Sequence, residues 1–397
     1  MKVIVCNIGS TSFKFQLLNM SDEQVLARGH IERVGSDKAA IRLYRGMNDL
    51  VHEEERPIEN QRMAVKLGLD YLESEVLSSL SEVDAVGFKA VQAGEDSGSV
   101  VITEKVLRAM EEYSDLAPAH NPPYIEAMRM FGELLPGKIL VGVFEPGFHT
   151  NKPDYATIYG TPYEWYEKYG VRRYGYHGAS LRYVTQETVK RLGFPPHNHK
   201  VIACHLGGSS SVCAFKNGVS IDTSLGFTPQ SGLIQSNRCG DIDAFVVPYI
   251  MRRTKKSIGD VYKELSSNGG LKGISGVSGD MRDIVEAIQK GNKRAKLARD
   301  KFIYDVKFYM GAFIFLMEGV DAVCFTGGIG QKDHELRSEV LSSLTFLGFR
   351  LDSEANKQNR EVIHQNNSTI SVLVLETNEE LVVARETVSI ATKHSNQ

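Results

Sequence analysis

The sequence predicts an α/β protein of two domains made by duplication of one unit. Two observations carry this expectation. Residues 3–12 read VIVCNIGSTS and residues 201–210 read VIACHLGGSS, matching at Val, Ile, Cys, Gly and the final Ser without a gap. Each copy is an apolar strand, a Gly/Ser turn and a second strand-like run, FKFQLL or SVCAF. Two copies are too few for a solenoid, so a duplicated domain is the natural reading; chance likeness of two β-hairpins is the alternative. The second observation is an alternation of short apolar runs with amphipathic stretches, the pattern of an α/β fold. A chain of 397 residues also exceeds one ordinary core.

After the first hairpin, residues 63–80 read as a helix and AVGFKAV (85–91) as a strand buried on both faces. A helix over 122–134 and the strand KILVGVF (138–144) follow, and a hinge is expected near Pro146–Asn151. Beyond the second hairpin, helices are expected over 241–253, 282–289, 296–317 and 333–346. Leu336, Val340 and Leu344 lie on one face of the last of these. VDAVCFT (320–326) and ISVLVL (370–375) read as buried strands. Thr377-Asn378-Glu379-Glu380 has capping-box spacing and should open the final helix.

Apolar residues at 42% and charged residues at 24% are ordinary for a globular protein. A net charge of −3 gives no electrostatic case for nucleic acid or an anionic membrane. The five cysteines are scattered without metal-ligand spacing, and Cys6, Cys204 and Cys324 sit in apolar runs. That pattern, with no signal-peptide layout in MKVIVCNIG, points to a reducing cytoplasm. The most apolar internal stretch, MGAFIFLMEGV, is far shorter than the roughly 20 residues a spanning helix needs.

Asn7-Ile8-Gly9-Ser10-Thr11-Ser12, followed by Lys14, suits phosphate: glycine lets the backbone approach, hydroxyls and N–H groups donate, and lysine supplies charge. It is not a Walker A loop, and in isolation a plain hairpin turn explains it equally well. Its duplicate at Gly207-Gly208-Ser209-Ser210 strengthens the case, since two such hairpins can clamp a polyphosphate in a cleft between them. Thr326-Gly327-Gly328-Ile329-Gly330 lies between an apolar strand and a helix, allowing close approach of a flat ligand and an anion at the helix start. Alone, it reads as a turn. Arg172-Arg173-Tyr174-Gly175-Tyr176-His177-Gly178 gathers cations and a histidine, with a solvated basic loop as the plain alternative. Ala119-His120-Asn121-Pro122 and Asn237-Arg238-Cys239-Gly240-Asp241 are equally open. His197 and His199 read as surface residues without a metal role.

Taken together and in order, these segments resemble the acetate kinase family. The likeness runs through VIVCNIGSTSFKF, LAPAHNP, VFEPGFH, RRYGYHGAS, CHLGGSSS and DTSLGFTPQSGL, then NRCGDID, GISGVSGDMRDI, FTGGIG and TNEELVVARET, covering the whole chain. The resemblance implies two actin-like ATPase domains (the fold of sugar kinases and heat-shock ATPases) flanking a cleft. Their expected bounds are 1–148 plus 380–397 and 149–379. It also implies a homodimer and magnesium-ATP chemistry on a small carboxylate. Arg238 and His177 would hold the γ-phosphoryl group, with His120 in support, and Asn7 and Glu379 would orient Mg²⁺ and its waters. The implied nucleotide set comprises Ser10, Ser12, Lys14, His205, Gly207, Gly208, Ser209, Asp280, Met281, Arg282, Gly328, Ile329, Gly330 and Lys332. Read alone, Glu379 is a charge near a helix start and Asp280 with Arg282 a surface pair.

Departures from the family pattern cluster at the acid-binding end. The usual His-Arg-Val-Val-His-Gly-Gly reads Phe88-Lys89-Ala90-Val91-Gln92-Ala93-Gly94, so Lys89 stands where the family has an arginine. Lysine keeps the charge but loses the planar fork. Glu145 replaces the family's catalytic aspartate and lengthens that arm. The pocket gripping the acid would be lined by Val91, Ala119, Tyr176 and Pro229, where Ala119 adds room and Tyr176 a hydroxyl. The expected acid is therefore larger or more polar than acetate. Pyrophosphate is the alternative donor, another oxyanion or a hydroxyl the alternative acceptor, and a feeble nucleotide-binding regulator the competing class. Asn7, His120, His177, Arg238 and Glu379 favour an active enzyme.

Overall fold

The computed structural model describes residues 1–118 and 120–395. They form two compact units, Met1–Gly147 with the segment from Asn378 onward, and Phe148–Thr377. In the first unit, β1 (Lys2–Gly9), β2 (Ser12–Asn19), β3 (Gln24–Glu32), β4 (Ser36–Arg45) and β5 (Asp49–Ile58) run as an antiparallel meander. β6 (Ala85–Ala90), β7 (Ser99–Val101) and β8 (Ile139–Phe144) complete an eight-stranded sheet ordered β5-β4-β3-β2-β1-β6-β8-β7. β1 and β6 are almost wholly buried because helices cover both faces, which is why they read as continuous apolar runs. At the other extreme, β5 is an edge strand whose exposed Glu53, Glu55 and Arg56 oppose pairing with another chain. Sequence patterning suggested nothing for β3 to β5.

The second unit holds β9 (Lys200–Leu206), β10 (Ser210–Lys216), β11 (Val219–Thr223), β12 (Ala322–Thr326) and β13 (Ser371–Val374), ordered β11-β10-β9-β12-β13. This order repeats β3-β2-β1-β6-β8, with the same antiparallel and parallel pairings. The register repeats too. Val3 to Cys6 face Ala85 to Phe88, and Val201 to Cys204 face Ala322 to Phe325. The two facing strands read Ala-Val-Gly-Phe and Ala-Val-Cys-Phe, a second echo that the structure reveals. Asn7 and His205 thus occupy equivalent positions at the ends of β1 and β9. The duplicated actin-like ATPase fold stands.

One face of the first sheet packs on the helices Gln61–Glu75 and Asn121–Leu134 through Phe13, Phe15, Phe88 and Phe131. The other face takes the C-terminal helix Glu379–Ser395 through Val383 and Ala384 against Val3, Val5 and Val141. Gly87 is required there, since a Cβ would stand 2.2 Å from Thr387 Oγ1. The second sheet is likewise covered by Gly178–Leu192 on one face and Lys293–Met317 on the other. Among the described residues, no helix is long and apolar enough to cross a membrane.

Three local expectations need correction. The C-terminal helix is capped by Asn378, whose Oδ1 accepts from Leu381 N at 3.0 Å; Thr377 makes no capping box and its Oγ1 is buried without a partner. The helix expected from 241 starts at Val246, because Asp241 is drawn out of it. Its carboxylate accepts from Gly232 N at 2.8 Å and from Tyr309 Oη. His199 is buried rather than on the surface. Its Nδ1 meets Pro195 O at 2.7 Å, and Nε2 accepts from Gly218 N at 3.0 Å, stapling a loop to the β10–β11 turn.

Candidate active site

In the second unit the β9–β10 turn is organised by its own hydroxyls. Ser210 Oγ accepts from Gly207 N at 3.0 Å and donates to Gly207 O at 2.9 Å. Ser209 Oγ donates to Gln235 Oε1 at 2.7 Å, and the same oxygen accepts from Ser210 N at 3.2 Å. The serine hydroxyls expected to donate to phosphate are therefore committed to the turn, leaving the exposed Gly208 backbone as its open part. Gln235, which the sequence reading missed, is the hub.

Arg238 is half-buried beside that hub. Its Nη1 donates to Ser209 Oγ at 3.0 Å, Pro229 O at 3.2 Å and Gln235 Oε1 at 3.2 Å. Among the described residues Nε and Nη2 have no hydrogen-bond partner, and no carboxylate pairs with the guanidinium. Burial pushes its pKa below the usual arginine value, yet the guanidinium stays charged at any ordinary pH. A fixed, partly desolvated cation with a free donor edge is suited to an incoming anion.

His177 precedes the helix Gly178–Leu192 in a left-handed conformation, φ 59°, rare for a residue with a side chain. Its Nδ1 lies 2.9 Å from Ser211 Oγ, and its ring stacks on His205 at 4.3 Å between centroids. Ser209 and Ser211 thus suspend Arg238 and His177 from positions two residues apart. Tyr176 is buried, and its hydroxyl donates to Phe227 O at 2.8 Å. It therefore adds no free polar group to an acid pocket, contrary to expectation. Beneath it, His149 holds Tyr176 O at 3.0 Å and Ser220 Oγ at 2.7 Å. Burial and the nearby Lys152 charge push its pKa down to about 3, so this support is neutral. Arg173 is engaged by Asp222 at 3.2 Å, and Arg172 lies over Tyr166 at 5.3 Å.

The glycine run Gly327–Lys332 is itself a short helix directly after β12. Gly327, at φ +77°, is required because a Cβ would stand 2.5 Å from Leu206 O. Nothing lies within 4 Å of a Cβ built on Gly328, so its face is open. Arg337, fully buried, anchors Gly330 O at 2.8 Å. Ile329 is half-buried and Lys332 exposed. Asp280 caps the helix Met281–Gln289 and pairs with exposed Arg282 at 2.6 Å; that hydrogen bond lowers its pKa to about 2. Met281 is a core residue beside Ile284, so only its backbone is available to a ligand.

In the first unit, Lys89 at the end of β6 is enclosed by two carboxylates. Its Nζ lies 3.4 Å from Glu145 Oε1 and bonds Glu379. Burial disfavours the ammonium, but Glu145 and Glu379 outweigh it and raise its pKa above the ordinary lysine value. Asn7 Oδ1 accepts from Tyr124 Oη at 3.4 Å, and that oxygen accepts from Ile8 N at 3.1 Å. Gln61 Nε2 clamps the first hairpin at Gly9 O, 2.8 Å away. Tyr124 and Gln61 gave no sequence signal, since each sits on a helix face that reads as ordinary core. Ser10 is exposed, Ser12 half-buried, and Lys14 lies 3.9 Å from Glu32 across the sheet. Gln92 is fully buried, its Oε1 accepting from Ser97 Oγ at 2.6 Å and Gly94 N at 2.9 Å. Val91 is half-buried and His120 exposed, while Ala119 lies outside the described residues.

The strand order repeated in the two sheets is that of a duplicated actin-like ATPase fold. The chain belongs to the acetokinase family, whose model matches residues 2–385. It is 42% identical to an acetate kinase of Halothermothrix orenii, over 98% of this chain and 99% of that protein. Among solved structures it resembles the Porphyromonas gingivalis acetate kinase, with a TM-score of 0.89 and 37% identity. A propionate kinase from Francisella tularensis gives a TM-score of 0.88 at 33% identity. Each structural likeness covers 98% of this chain and 99% of the other.

Proposed function

We propose that this chain is an ATP-dependent kinase of short-chain carboxylates, acting in the cytoplasm. The bond from the γ-phosphorus to the β-bridging oxygen breaks as one from phosphorus to a carboxylate oxygen forms, giving ADP and an acyl phosphate; the reverse also runs. The observation that carries the reading is Arg238, charged, half-buried and with no carboxylate partner among the described residues, suspended with His177 from one hairpin. In-line transfer requires positioned positive charge and donors around three equatorial oxygens. Arg238 and His177 supply them, with His120 in support. A carboxylate nucleophile is already ionised at neutral pH, so no base is needed. Glu145 then serves to hold Lys89, which faces the acid, rather than to take a proton.

ATP is the donor, with its adenosine held by Asp280, Arg282 and the Gly328–Gly330 backbone. Asn7 and Glu379 would hold Mg²⁺. They fit that ion: one is an amide oxygen, and the other already neutralises a cation, the Lys89 ammonium. Magnesium characteristically takes one or two such oxygens together with substrate phosphates and supplies charge neutralisation.

The preferred acid is larger than acetate. ATP-dependent hydroxamate formation across straight and branched acids tests this, with a longer acid expected to exceed acetate in kcat/KM by about tenfold. Acetate leading the panel removes the acid preference. No turnover with any acid, despite ATP binding, removes the kinase reading and favours a regulator.

The protein works as a homodimer. Leu297, Tyr304, Phe308 and Phe315 form one stripe along the helix Lys293–Met317, each more than half exposed. Such a stripe is suited to a second copy of itself. Light scattering is expected to give twice 44.1 kDa for the native chain. Phe308→Glu with Phe315→Glu is expected to give the monomer mass.

A further inference from the structure

Two buried serines stand against the two stacked imidazoles. Ser211 Oγ is 2.9 Å from His177 Nδ1, and Ser180 Oγ is 2.8 Å from His205 Nδ1. Both serines are fully buried. Among the described residues neither hydroxyl has any other hydrogen-bond partner. Ser211 lies on β10 and Ser180 in the first turn of the helix Gly178–Leu192, so the pairs come from different elements.

A serine hydroxyl carries one proton, which must be donated somewhere, and leaving a buried donor unmade is costly. Among the described residues the sole acceptor within reach of each hydroxyl is Nδ1. If the ring carried its proton on Nδ1, ring and hydroxyl would both need to donate along one line. The same conflict arises for an imidazolium, which is protonated on both nitrogens. We infer that Ser211 and Ser180 are positioning residues that hold His177 and His205 as neutral imidazoles with the proton on Nε2. The stack works in the same direction, since charge on one ring disfavours charge on its neighbour 4.3 Å away.

The tautomer stands on the hydroxyl geometry alone; its catalytic consequence rests on the phosphotransfer reading. His177 then offers phosphoryl oxygens an N–H donor without net charge, whereas the other tautomer would present a lone pair to them. Arg238 supplies a positive charge against the same hairpin. The division separates a hydrogen-bond role from a charge role, in two side chains suspended from one hairpin.

The test uses the full chain with ¹⁵N-labelled histidine. Nitrogen–proton correlation spectra distinguish both neutral tautomers and the imidazolium, and His177→Gln and His205→Gln assign the signals. At pH 7 both rings are expected neutral with the proton on Nε2. Ser211→Ala is expected to turn the His177 signal into a tautomer mixture. It should also lower kcat about 10- to 100-fold while KM for ATP stays within about threefold. Ser211→Thr, which keeps the hydroxyl on a side chain suited to a strand, should restore the signal and kcat to within about threefold. An imidazolium or Nδ1–H form of His177 in the native chain overturns the proposal, and so does an unchanged spectrum in Ser211→Ala. Should that variant misfold, the native spectrum decides. Should no acid be turned over, the kinase reading fails while the spectra still settle the tautomer.

Discussion

Arg238→Ala is expected to lower kcat about a thousandfold, with the folded structure retained. Charge develops on the equatorial oxygens as the phosphoryl group moves, and a fixed donor aimed at it is worth about 3–4 kcal/mol in a site with little water. Arg238 has what that role needs: Nη1 is anchored by Ser209, Pro229 and Gln235, so the rest of the fork is pre-oriented. Arg238→Lys should recover about tenfold of the loss at most, because an ammonium restores charge without the planar geometry. Initial rates of ADP formation measure both variants, and circular dichroism confirms folding. A fall below tenfold in Arg238→Ala would remove this residue from the reacting centre.

Lys89→Met is expected to damage stability as well as turnover. The lysine is the cation shared by Glu145 and Glu379, whose side chains are 11% and 18% exposed. Removing it takes a shared cation away from two largely buried carboxylates. Breaking a buried pair costs about 3–5 kcal/mol, and residual exposure reduces this to about 2–3. The sign follows from the raised lysine pKa. The stabilisation is complete below the unfolded pKa, ordinarily about 10.4, and is lost only as pH rises through the higher folded value. Denaturant unfolding at pH 7 should therefore show the full loss. Glu145→Gln in the Lys89→Met background should return part of it, since one charge then needs no partner. If Lys89→Met matches the native midpoint, the carboxylates are not held by this ammonium.

The sequence made the doubled architecture legible because the parallel strands are buried on both faces. β1, β6, β9 and β12 leave continuous apolar runs, and the echo preserved even their register. β3 to β5 escaped notice because one is a charged edge strand and none has the uniform burial that makes a run conspicuous. The Thr377 motif misled because Asn378, one residue later, can cap as well, and spacing cannot arbitrate between them. The site was legible as residue types and not as partnerships. Arg238 and His177 belong to recognisable segments, but Gln235, Ser211 and Tyr124 act through their neighbours, and only distances expose that. Tyr176 shows the converse: its composition suggested polarity, and Phe227 O takes it away.

Synthesis runs from the amino terminus, and the helix Glu379–Ser395 emerges only after the strands of both sheets. Until it arrives, Val3, Val5 and Val141 lack the cover that Val383 and Ala384 provide, and Lys89 has only one of its two carboxylates. The first unit to be translated is thus the last to be finished, while residues 148–377 are complete some twenty residues earlier. A nascent chain that has not yet presented Val383 and Ala384 exposes a bare valine face, the kind of surface that chaperones guard. Assembly of the cation-holding corner is in this way tied to synthesis of a segment almost three hundred residues further along the chain.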